Sequence, residues 1–265
     1  MPTLPFAKAT ACGNDFLIVE RDAAPRNADL RQLSIEMCER HNGIGADGVE
    51  WVSRPNSSSA HIVASLINSD GSAAEISGNG TRCVAAWYLS FPSTGHEPVL
   101  VETGAGVKEC RIISRAGPRY EFEMAMGRAY EIEDMTVHGQ SGVYVDLGNP
   151  HFVLFVGSYQ FDWQEQAARI QADTGSFSRG TNVEFVHVID RHTLEARFYE
   201  RGAGETRSSG TGSIASAVAA IYSRMCDSPV TVVAPGGPQT VRSEDQIYLR
   251  GDARIICTGE FSISP

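Results

Sequence analysis

The sequence has no apolar run long enough to cross a membrane. Its longest apolar stretches, such as HFVLFV at 151–156, are far shorter than the roughly 20 residues that a membrane-spanning helix needs. The first residues, MPTLPFAKAT, also lack the basic region and following apolar stretch that are typical of a secretory signal. These absences predict a cytoplasmic protein without a membrane partner.

Positive charge is scarce. The chain has 22 Lys and Arg against 32 Asp and Glu, which gives a formal net charge of -10 at pH 7. Proteins that bind nucleic acid cluster Lys and Arg to neutralise phosphates, and no such cluster occurs in this sequence. We therefore expect no nucleic-acid partner.

Closely spaced metal ligands are also missing. The 6 cysteines are scattered without a CxxC pair, and the 7 histidines are equally dispersed. Zinc and redox sites usually bring such residues together at short spacing. The sequence therefore predicts no metal site, and cysteines that are mostly reduced and buried.

One glycine motif, GIGADG at 43–48, matches the dinucleotide fingerprint GxGxxG. It follows a predicted helix and precedes a strand-like segment, whereas dinucleotide binding requires the opposite order. We interpret these glycines as a tight turn. No phosphate loop and no GxSxG motif is present either, so no cofactor is predicted.

The sequence does contain an internal repeat. Three segments of the first half recur in the same order in the second half: CGN at 12–14 as LGN at 147–149, DGVEWV at 47–52 as NVEFV at 182–186, and SGNGTRCVAA at 77–86 as SGTGSIASAV at 209–218. The separation is 135 residues for the first segment and 132 for the last, and repeated segments at a similar separation indicate a duplicated fold. At about 150 residues per domain, the 265 residues also suffice for two domains.

Both halves show the same order of predicted elements. Strands lead to the GN turn, an amphipathic helix follows (about 30–40 and 163–172), and after more strands each SGxG segment opens a second helix with serine as its cap. Strand-like segments follow, among them 246–251 and 254–261, with Gly, Pro and Asp at the turns.

The expected fold class is α/β (α+β), with two pseudo-symmetric lobes of mixed strands around a central helix. The predicted N-terminal lobe is 1–125 and the C-terminal lobe is 135–255, with 126–134 as the linker. The last strand is a candidate to return to the first lobe.

Polar residues crowd the start of each second helix. They are Asn68, Asp70, Ser72, Glu75, Ser77 and Asn79 in the first half, and Glu200, Arg201, Glu205 and Ser209 in the second. A polar turn with a helix cap explains one such segment, but two at equivalent places favour a ligand site. If both helix starts face one cleft, their N–H groups and dipoles would bind an anion such as a carboxylate.

The two GN turns carry further candidates. GND at 13–15 and GNPH at 148–151 place Asn14, Asn149 and His151 beside glycines. Alone, each asparagine is more often an Asx turn than a ligand contact, and His151 alone would be structural in most proteins. Their equivalent places in the repeat make them candidates for binding.

Together these motifs make the chain resemble the diaminopimelate epimerases across nearly its full length. The motifs are GNDF, GIGADG, NSDGSAAE before GNGTRC, ETGAG at 102–106, LGNPH, TNVEF, and ERGAGET before GTG. The resemblance implies a PLP-independent isomerase of lysine and peptidoglycan precursor synthesis that converts LL-diaminopimelate to the meso form. It also implies a homodimer without a cofactor. Proline racemases, hydroxyproline dehydratases and phenazine-pathway isomerases share this two-lobed fold.

The resemblance assigns a role to each matching residue. Hydrogen bonds to the polar ends of the substrate are expected from Asn14, Asn68, Asn149 and Asn182, and Arg201 is expected to pair with the distal carboxylate. The carboxylate beside the reacting carbon would be bound by the backbone of Gly78, Asn79, Gly210 and Thr211. His151 and Glu200 would contact the reacting amino end. Amides and N–H donors suit a zwitterion, and a bidentate arginine suits a carboxylate.

The sequence departs from the family at the two residues expected to exchange the proton. The family has cysteine there, one removing the α-proton and the other returning one on the opposite face, whereas this chain has Ser77 and Ser209. A helix N-terminus can turn a thiol of pKa near 8.5 into a thiolate, but a hydroxyl is far less acidic. Epimerisation by two serines should therefore be slow.

Three explanations of the serines are open. Both cysteines were replaced deliberately; or a natural lineage uses serines, assisted by Glu75, Glu200 or a bound water; or the site catalyses a different reaction. Cys12, just before Asn14, is best interpreted as a buried small side chain, although a mechanism with one thiol is also open.

Two alternative functions are open as well. One is a racemase or dehydratase for another amino acid such as a hydroxyproline, and the other is a catalytically silent amino-acid binding protein. Arg201 argues against the first, because a monocarboxylic imino acid needs no distal partner. Glu200 or Glu205 could instead hold Arg201 as part of the structure.

Overall fold

The structure, a computed structural model, describes residues 3–55, 59–91 and 97–263. The chain divides into two compact units. The first unit comprises Met1–Met124 and Gly251–Pro265, and the second comprises Ala125–Arg250. Residues 126–134, for which the sequence predicts a linker, lie in the second unit, where the N–H of Tyr130 donates to the carbonyl of Asp146 at 2.7 Å.

The first unit contains two α-helices, and its strand order begins with an antiparallel pair. Its elements are β1 (Thr3–Ala11), β2 (Asn14–Glu20), a short 3-10 helix (Arg21–Ala23), α1 (Leu30–Cys38), β3 (Gly48–Ser53), β4 (Ile62–Asn68), β5 (Ala73–Ala74), α2 (Gly78–Tyr88), β6 (Val99–Thr103), β7 (Gly106–Ala116) and β8 (Arg119–Gly127). The last residues of β8 already belong to the second unit.

The second unit repeats this order. Its elements are β9 (Glu131–Val137), β10 (Gln140–Asp146), β11 (Pro150–Phe155), α3 (Trp163–Gln171), β12 (Asn182–Asp190), β13 (Thr193–Glu200), β14 (Gly204–Thr206), α4 (Gly210–Tyr222), β15 (Val230–Ala234), β16 (Gly237–Ser243) and β17 (Ile247–Ser262). β17 begins in the second unit and ends in the first.

The predicted repeat is confirmed by strand pairing. In the first unit β2 is parallel to β3, β3 antiparallel to β4, and β4 parallel to β6. In the second unit β11, β12, β13 and β15 pair in the same way. Each parallel pair is joined through a helix, as parallel neighbours require.

The repeat also holds at the level of single residues. Glu50 of β3 lies between Ile18 of β2 and Leu66 of β4. Glu184 of β12 lies between Val153 of β11 and Phe198 of β13. The two glutamates therefore occupy the same register in the two units.

Within each unit the two α-helices differ in how much of their surface is buried. α2 and α4 are central helices, in which most side chains are buried. Small residues dominate α4, and this lets the surrounding strands approach closely. α1 and α3 are amphipathic and bury one side only. Trp51 Nε1 anchors β3 to α1 by donating to Ser34 Oγ at 2.9 Å.

The glycine motif at 43–48 forms the predicted turn between α1 and β3. The N–H groups of Ile44 and Gly45 both donate to the carbonyl of Met37, at 2.9 and 3.1 Å. A Cβ on Gly43 would overlap with the backbone carbonyl of Glu36, and Gly45 has a φ of 79°. Glycine is therefore required by the turn itself.

The end of the chain differs from the sequence prediction. Segments 246–251 and 254–261, expected as separate strands, lie within the single strand β17. Gly251 permits this, because a Cβ there would meet the guanidinium of Arg82 at 2.8 Å. The residue marks a close approach within the strand rather than a turn.

No helix of the described ranges is long and apolar enough to cross a membrane. All six cysteines lie in the described ranges as thiols outside any disulfide, and all of them except Cys257 are buried.

Candidate active site

Each central helix begins at a serine, as the sequence predicts. Ser77 and Ser209 are the N-caps of α2 and α4, and both have extended backbone conformations. Each Oγ accepts a hydrogen bond of 3.1 Å from the backbone N–H of the residue three positions later, which is Gly80 in α2 and Gly212 in α4. Serine is a favourable N-cap, so both hydroxyls have a structural function whatever their part in chemistry.

The glycines of the two SGxG segments allow tight packing of these first turns. A Cβ on Gly80 would overlap with Oε1 of Glu50 and would meet Cβ of Ser77 at 3.3 Å. A Cβ on Gly212 would meet Cδ1 of Phe198 at 2.8 Å. Each helix start therefore lies directly against its own sheet.

In the first unit the structure brings Asn14 and Asn79 together. Oδ1 of Asn14 accepts from Nδ2 of Asn79 at 2.7 Å, and Nδ2 of Asn14 donates to Asp47 at 3.0 Å. Asn79 in turn accepts a hydrogen bond from Nη2 of Arg82. These bonds fix the orientation of both amides at the beginning of α2.

Arg82 is fully buried and connects α2 to β17. Its Nε donates to the carbonyl of Asp252 at 3.2 Å, and its Nη2 lies 3.4 Å from Sγ of Cys12. Cys12 is bound to the same aspartate, through its N–H at 3.0 Å and its Sγ at 3.3 Å. Burial raises the pKa of Cys12 by more than Arg82 lowers it, which favours the structural interpretation of this thiol.

Asn68 lies at the end of β4 and forms a separate polar turn. Its Nδ2 donates to Oγ of Ser72 at 3.0 Å, and the carboxylate of Asp70 accepts from the N–H of Ser72 at 2.8 Å. Asn68 therefore bonds to its own turn rather than to Asn14.

In the second unit Asn149 occupies the place of Asn14. Its Nδ2 donates to Oγ1 of Thr211 at 3.4 Å, so the GN turn again meets the first turn of the central helix. Gly148 has a φ of 101°, a conformation that favours glycine. The contacts Asn14 to Asn79 and Asn149 to Thr211 are equivalent in the repeat.

Asn182 and Arg201 also meet in the second unit. Asn182 donates to the carbonyl of Pro150 at 3.0 Å and accepts from the N–H of Arg201 at 2.9 Å. The Arg201 side chain is exposed, and its Nη1 donates to the carbonyl of Arg179. Within the described ranges no carboxylate forms an ion pair with Arg201.

Glu205 and Glu200, which the sequence analysis considered as structural partners of Arg201, interact with other residues. Glu205 accepts from Nε2 of Gln164 at 3.1 Å. Glu200 ends β13 and lies close enough to Glu184 for its charge to raise the pKa of that residue. The guanidinium of Arg201 is therefore not held by an acid of its own turn.

His151 forms a buried pair with Glu184. Nδ1 of His151 lies 2.6 Å from Oε1 of Glu184, and the side chains are 1% and 0% exposed. Nε2 of His151 and Oε2 of Glu184 are buried without a hydrogen-bond partner among the described residues. Burial raises the pKa of Glu184 by more than His151 lowers it.

Sequence reasoning did not identify Glu184 as functional. It recognised the repeat that contains Glu184 and Glu50, but treated both residues as parts of matching strands. The usable signal was an acid in the middle of an apolar strand, since Glu is almost never fully buried without a partner. In the first unit the place of His151 is taken by Phe16, which pairs with Gly48 two residues before Glu50, and burial raises the pKa of Glu50 to about 8.

No cluster of three or more metal-binding side chains occurs in the described part of the chain. The structure thus joins Asn14 to the start of α2 and Asn149 to the start of α4. Asn68 bonds to its own turn, and the second unit holds two further groups, Asn182 with Arg201 and His151 with Glu184. This arrangement offers N–H groups, amides and one exposed guanidinium, which are ligands for an amino acid with more than one carboxylate.

Residues 6–132 and 143–256 match the family model described as diaminopimelate epimerase. Relatives of that name include one from Rippkaea orientalis, 31% identical over 98% of this chain and 100% of the relative. The diaminopimelate epimerase 1 of Nostoc sp. is 33% identical over 97% of this chain and 99% of its own length.

Solved structures with the same fold confirm the predicted fold class. A hydroxyproline epimerase from Agrobacterium vitis, with bound trans-4-hydroxy-L-proline, matches with a TM-score of 0.69 and 14% identity, covering 98% of this chain and 91% of that one. A PhzF-family phenazine biosynthesis protein from Bacillus anthracis matches with a TM-score of 0.69 and 15% identity, covering 99% and 100%.

Proposed function

The chain belongs to the diaminopimelate epimerase family of isomerases, and from this premise we propose that it binds LL-diaminopimelate and exchanges the proton at one α-carbon to give the meso form. The observation that carries the choice of substrate is Arg201. Its guanidinium is exposed and has no acid partner in the described ranges. A second, distal carboxylate would supply that partner.

The remaining contacts follow from the local groups around the helix starts. The N–H groups of Gly78 and Asn79, and of Gly210 and Thr211, are at the positive ends of their helices and suit the carboxylate beside the reacting carbon. Asn14, Asn68, Asn149 and Asn182 are the proposed donors and acceptors for the polar ends, with Glu200 at the amino end.

The proposed reaction has no cofactor to delocalise the charge on the α-carbon. Preorganised N–H dipoles in a site without water can stabilise such a charge electrostatically. Epimerisation needs a proton-transfer group on each face of the carbon, and Ser77 and Ser209 are the residues proposed for this role. Cytoplasmic location, a homodimeric state and a part in lysine synthesis stay predictions.

The serines set the expected rate. Each Oγ already serves as an N-cap acceptor, and a hydroxyl is far less acidic than a thiol. We expect the Ser77→Cys/Ser209→Cys variant to exchange the α-proton about 100-fold faster than the chain with serines, or more, which is the effect of one effective acid–base group.

The test is α-proton exchange of LL-diaminopimelate in D2O, followed by NMR for the chain and the double cysteine variant. Exchange in both, or in the variant alone, supports the proposed substrate. Silence from both, with exchange of trans-4-hydroxy-L-proline, would contradict it and favour the racemase alternative. Tight binding of diaminopimelate without exchange by either protein would favour the silent binding protein.

A further inference from the structure

We propose that Glu184 is a positioning residue that keeps a proton on Nε2 of His151, so that the second unit holds an acid–base nitrogen near a helix start that has serine in place of the thiol. The role in proton exchange rests on the proposed function, whereas the protonation of the pair does not. The proposal begins from two atoms, Nε2 of His151 and Oε2 of Glu184, that are buried without partners in the described ranges.

The backbone fixes this pair. His151 and Glu184 lie on the parallel strands β11 and β12, where His151 pairs with Asn182, two residues before Glu184. Asn182 holds the carbonyl of Pro150 at 3.0 Å, which fixes the strand start just before His151. On the other side, Asn149 donates to Thr211 in the first turn of α4. The imidazole thus lies among residues proposed to bind substrate.

Burial decides how many protons the pair holds. With one proton the pair carries a net charge of -1, whereas with two protons it is neutral as a unit. Uncompensated charge in a protein interior is costly, so the two-proton state is favoured. One proton occupies the bond between Nδ1 and Oε1, and the second lies on an outer atom.

The outer proton belongs on the nitrogen. Imidazole is more basic than a carboxylate, with ordinary pKa values of about 6.5 and 4.3, and the nearby charge of Glu200 adds negative potential. Nε2 therefore carries an N–H that lacks an acceptor within the described ranges. A buried donor of this kind costs stability unless a ligand accepts from it.

The proton step uses Nε2–H as the acid. After the proton-transfer group that the proposed function places on the opposite face has taken the α-proton, Nε2–H gives its proton to the α-carbanion. The N–H bond breaks, and a C–H bond forms with the electron pair of the carbanion. Nε2 then regains a proton from solvent, so that solvent hydrogen enters the α-position.

The first unit supplies a matched control. Glu50 has the same register as Glu184 but lies against Gly80 of α2, and Phe16 takes the place that His151 has in the second unit. Glu50→Gln and Glu184→Gln therefore remove the same group from equivalent strands, and only the second removes the partner of His151.

The first experiment uses 15N NMR of histidine-labelled protein without substrate, with His151→Gln to assign the signal. We expect Nε2 of His151 to be protonated at pH 7 in the chain and in Glu50→Gln. In Glu184→Gln, where the amide oxygen accepts from Nδ1–H, Nε2 should lose its proton. An unprotonated Nε2 in the chain, or identical titrations in the chain and Glu184→Gln, would overturn the proposal.

The second experiment measures α-proton exchange of LL-diaminopimelate. We expect Glu184→Gln to lower the rate about 100-fold, with KM within about twofold and a displaced pH profile. Glu184→Asp, which keeps a carboxylate, should restore part of the rate. If the glutamine variant does not fold, the protonation of Nε2 in the chain itself still decides the proposal. An unchanged pH profile in a folded Glu184→Gln variant would reduce the residue to a structural role. Because the NMR experiment needs no substrate, failure of the diaminopimelate assignment is distinguishable from failure of this one.

Discussion

The two units use the same strand order and register, yet each treats its buried acid differently. Glu184 shares a hydrogen bond with His151, whereas Glu50 lies against a glycine of α2 and is charge-neutral at pH 7 because burial raises its pKa to about 8. A duplicated framework therefore preserves position while changing protonation. The difference comes from one neighbour, since the second unit has a histidine at the strand start and the first has none there.

The largest expected difference concerns pH and stability. The pKa of Glu50 rises from 4.5 to about 8 on folding, so the unfolded chain releases this proton first. The contribution of Glu50 to the free energy of unfolding is therefore full below about pH 4.5. It is lost as the pH rises toward 8, and the loss amounts to about 5 kcal/mol. Glu50→Gln should remove this loss, as measured by urea unfolding at pH 5 and pH 8.

Glu184→Gln is the control for that measurement. The histidine partner of Glu184 compensates its charge, so its stability profile should differ from that of Glu50→Gln. Parallel profiles of the chain and Glu50→Gln would show that Glu50 is ionised in the folded state, and the contrast between the units would disappear.

A second contrast concerns the residue that directly follows β4 in the first unit and β13 in the second. Arg201 follows β13, and Ser69 follows β4 at the equivalent place. Arg201→Ala should weaken binding of LL-diaminopimelate by about 2 kcal/mol, roughly 30-fold, and should affect alanine much less. Isothermal titration calorimetry measures both. Equal losses for the two ligands, or the same loss in Ser69→Ala, would contradict the distal-carboxylate role.

The first turns of the central helices give a third contrast. Gly212→Ala places a methyl group 2.8 Å from the ring of Phe198, which is fully buried, whereas Gly80→Ala meets the end of the Glu50 side chain. We expect Gly212→Ala to destabilise the protein by about 1 to 3 kcal/mol, and Gly80→Ala by less, because a carboxyl can rotate away. Thermal unfolding would show the order, and the reverse order would contradict it.

The smallest effect is expected at Cys12, which corresponds to Leu147 in the repeat. Burial raises the pKa of this thiol, which disfavours the thiolate. Cys12→Ala should therefore leave the rate of α-proton exchange within about twofold of the chain. A tenfold loss in a variant that unfolds at an unchanged temperature would revive a mechanism with one thiol.

Much of the equivalence between the two units was predictable from the sequence. The similar separation of the repeated segments indicated equivalent elements, and the serines before GxG predicted the starts of α2 and α4. The end of α1 is less visible: the sequence predicts a helix to about residue 40, but it ends at Cys38, where Glu39 accepts from the N–H of His41 at 2.7 Å. A local hydrogen bond of this kind competes with the helix and leaves little periodic signal.

The chemistry of the buried acids was hidden for a different reason. The repeat aligns Glu50 with Glu184, but the distinction between them depends on His151, which lies 33 residues away in sequence from Glu184. Likewise, Gly251 and Asp252 resemble a turn, and only the contact with Arg82 from α2 explains why β17 continues through them. Neighbours brought together by folding decide both cases.

The path of β17 has a consequence for synthesis on the ribosome. β1 is made before β17, and the two strands pair from Thr3 opposite Ser262 onward. The nascent chain must therefore keep this edge of β1 unpaired until β17 has been translated. Exposed strand edges invite association between chains, and such long-range pairing slows folding. Protection of β1 during translation, rather than the order of the repeats, would then govern the yield of native protein.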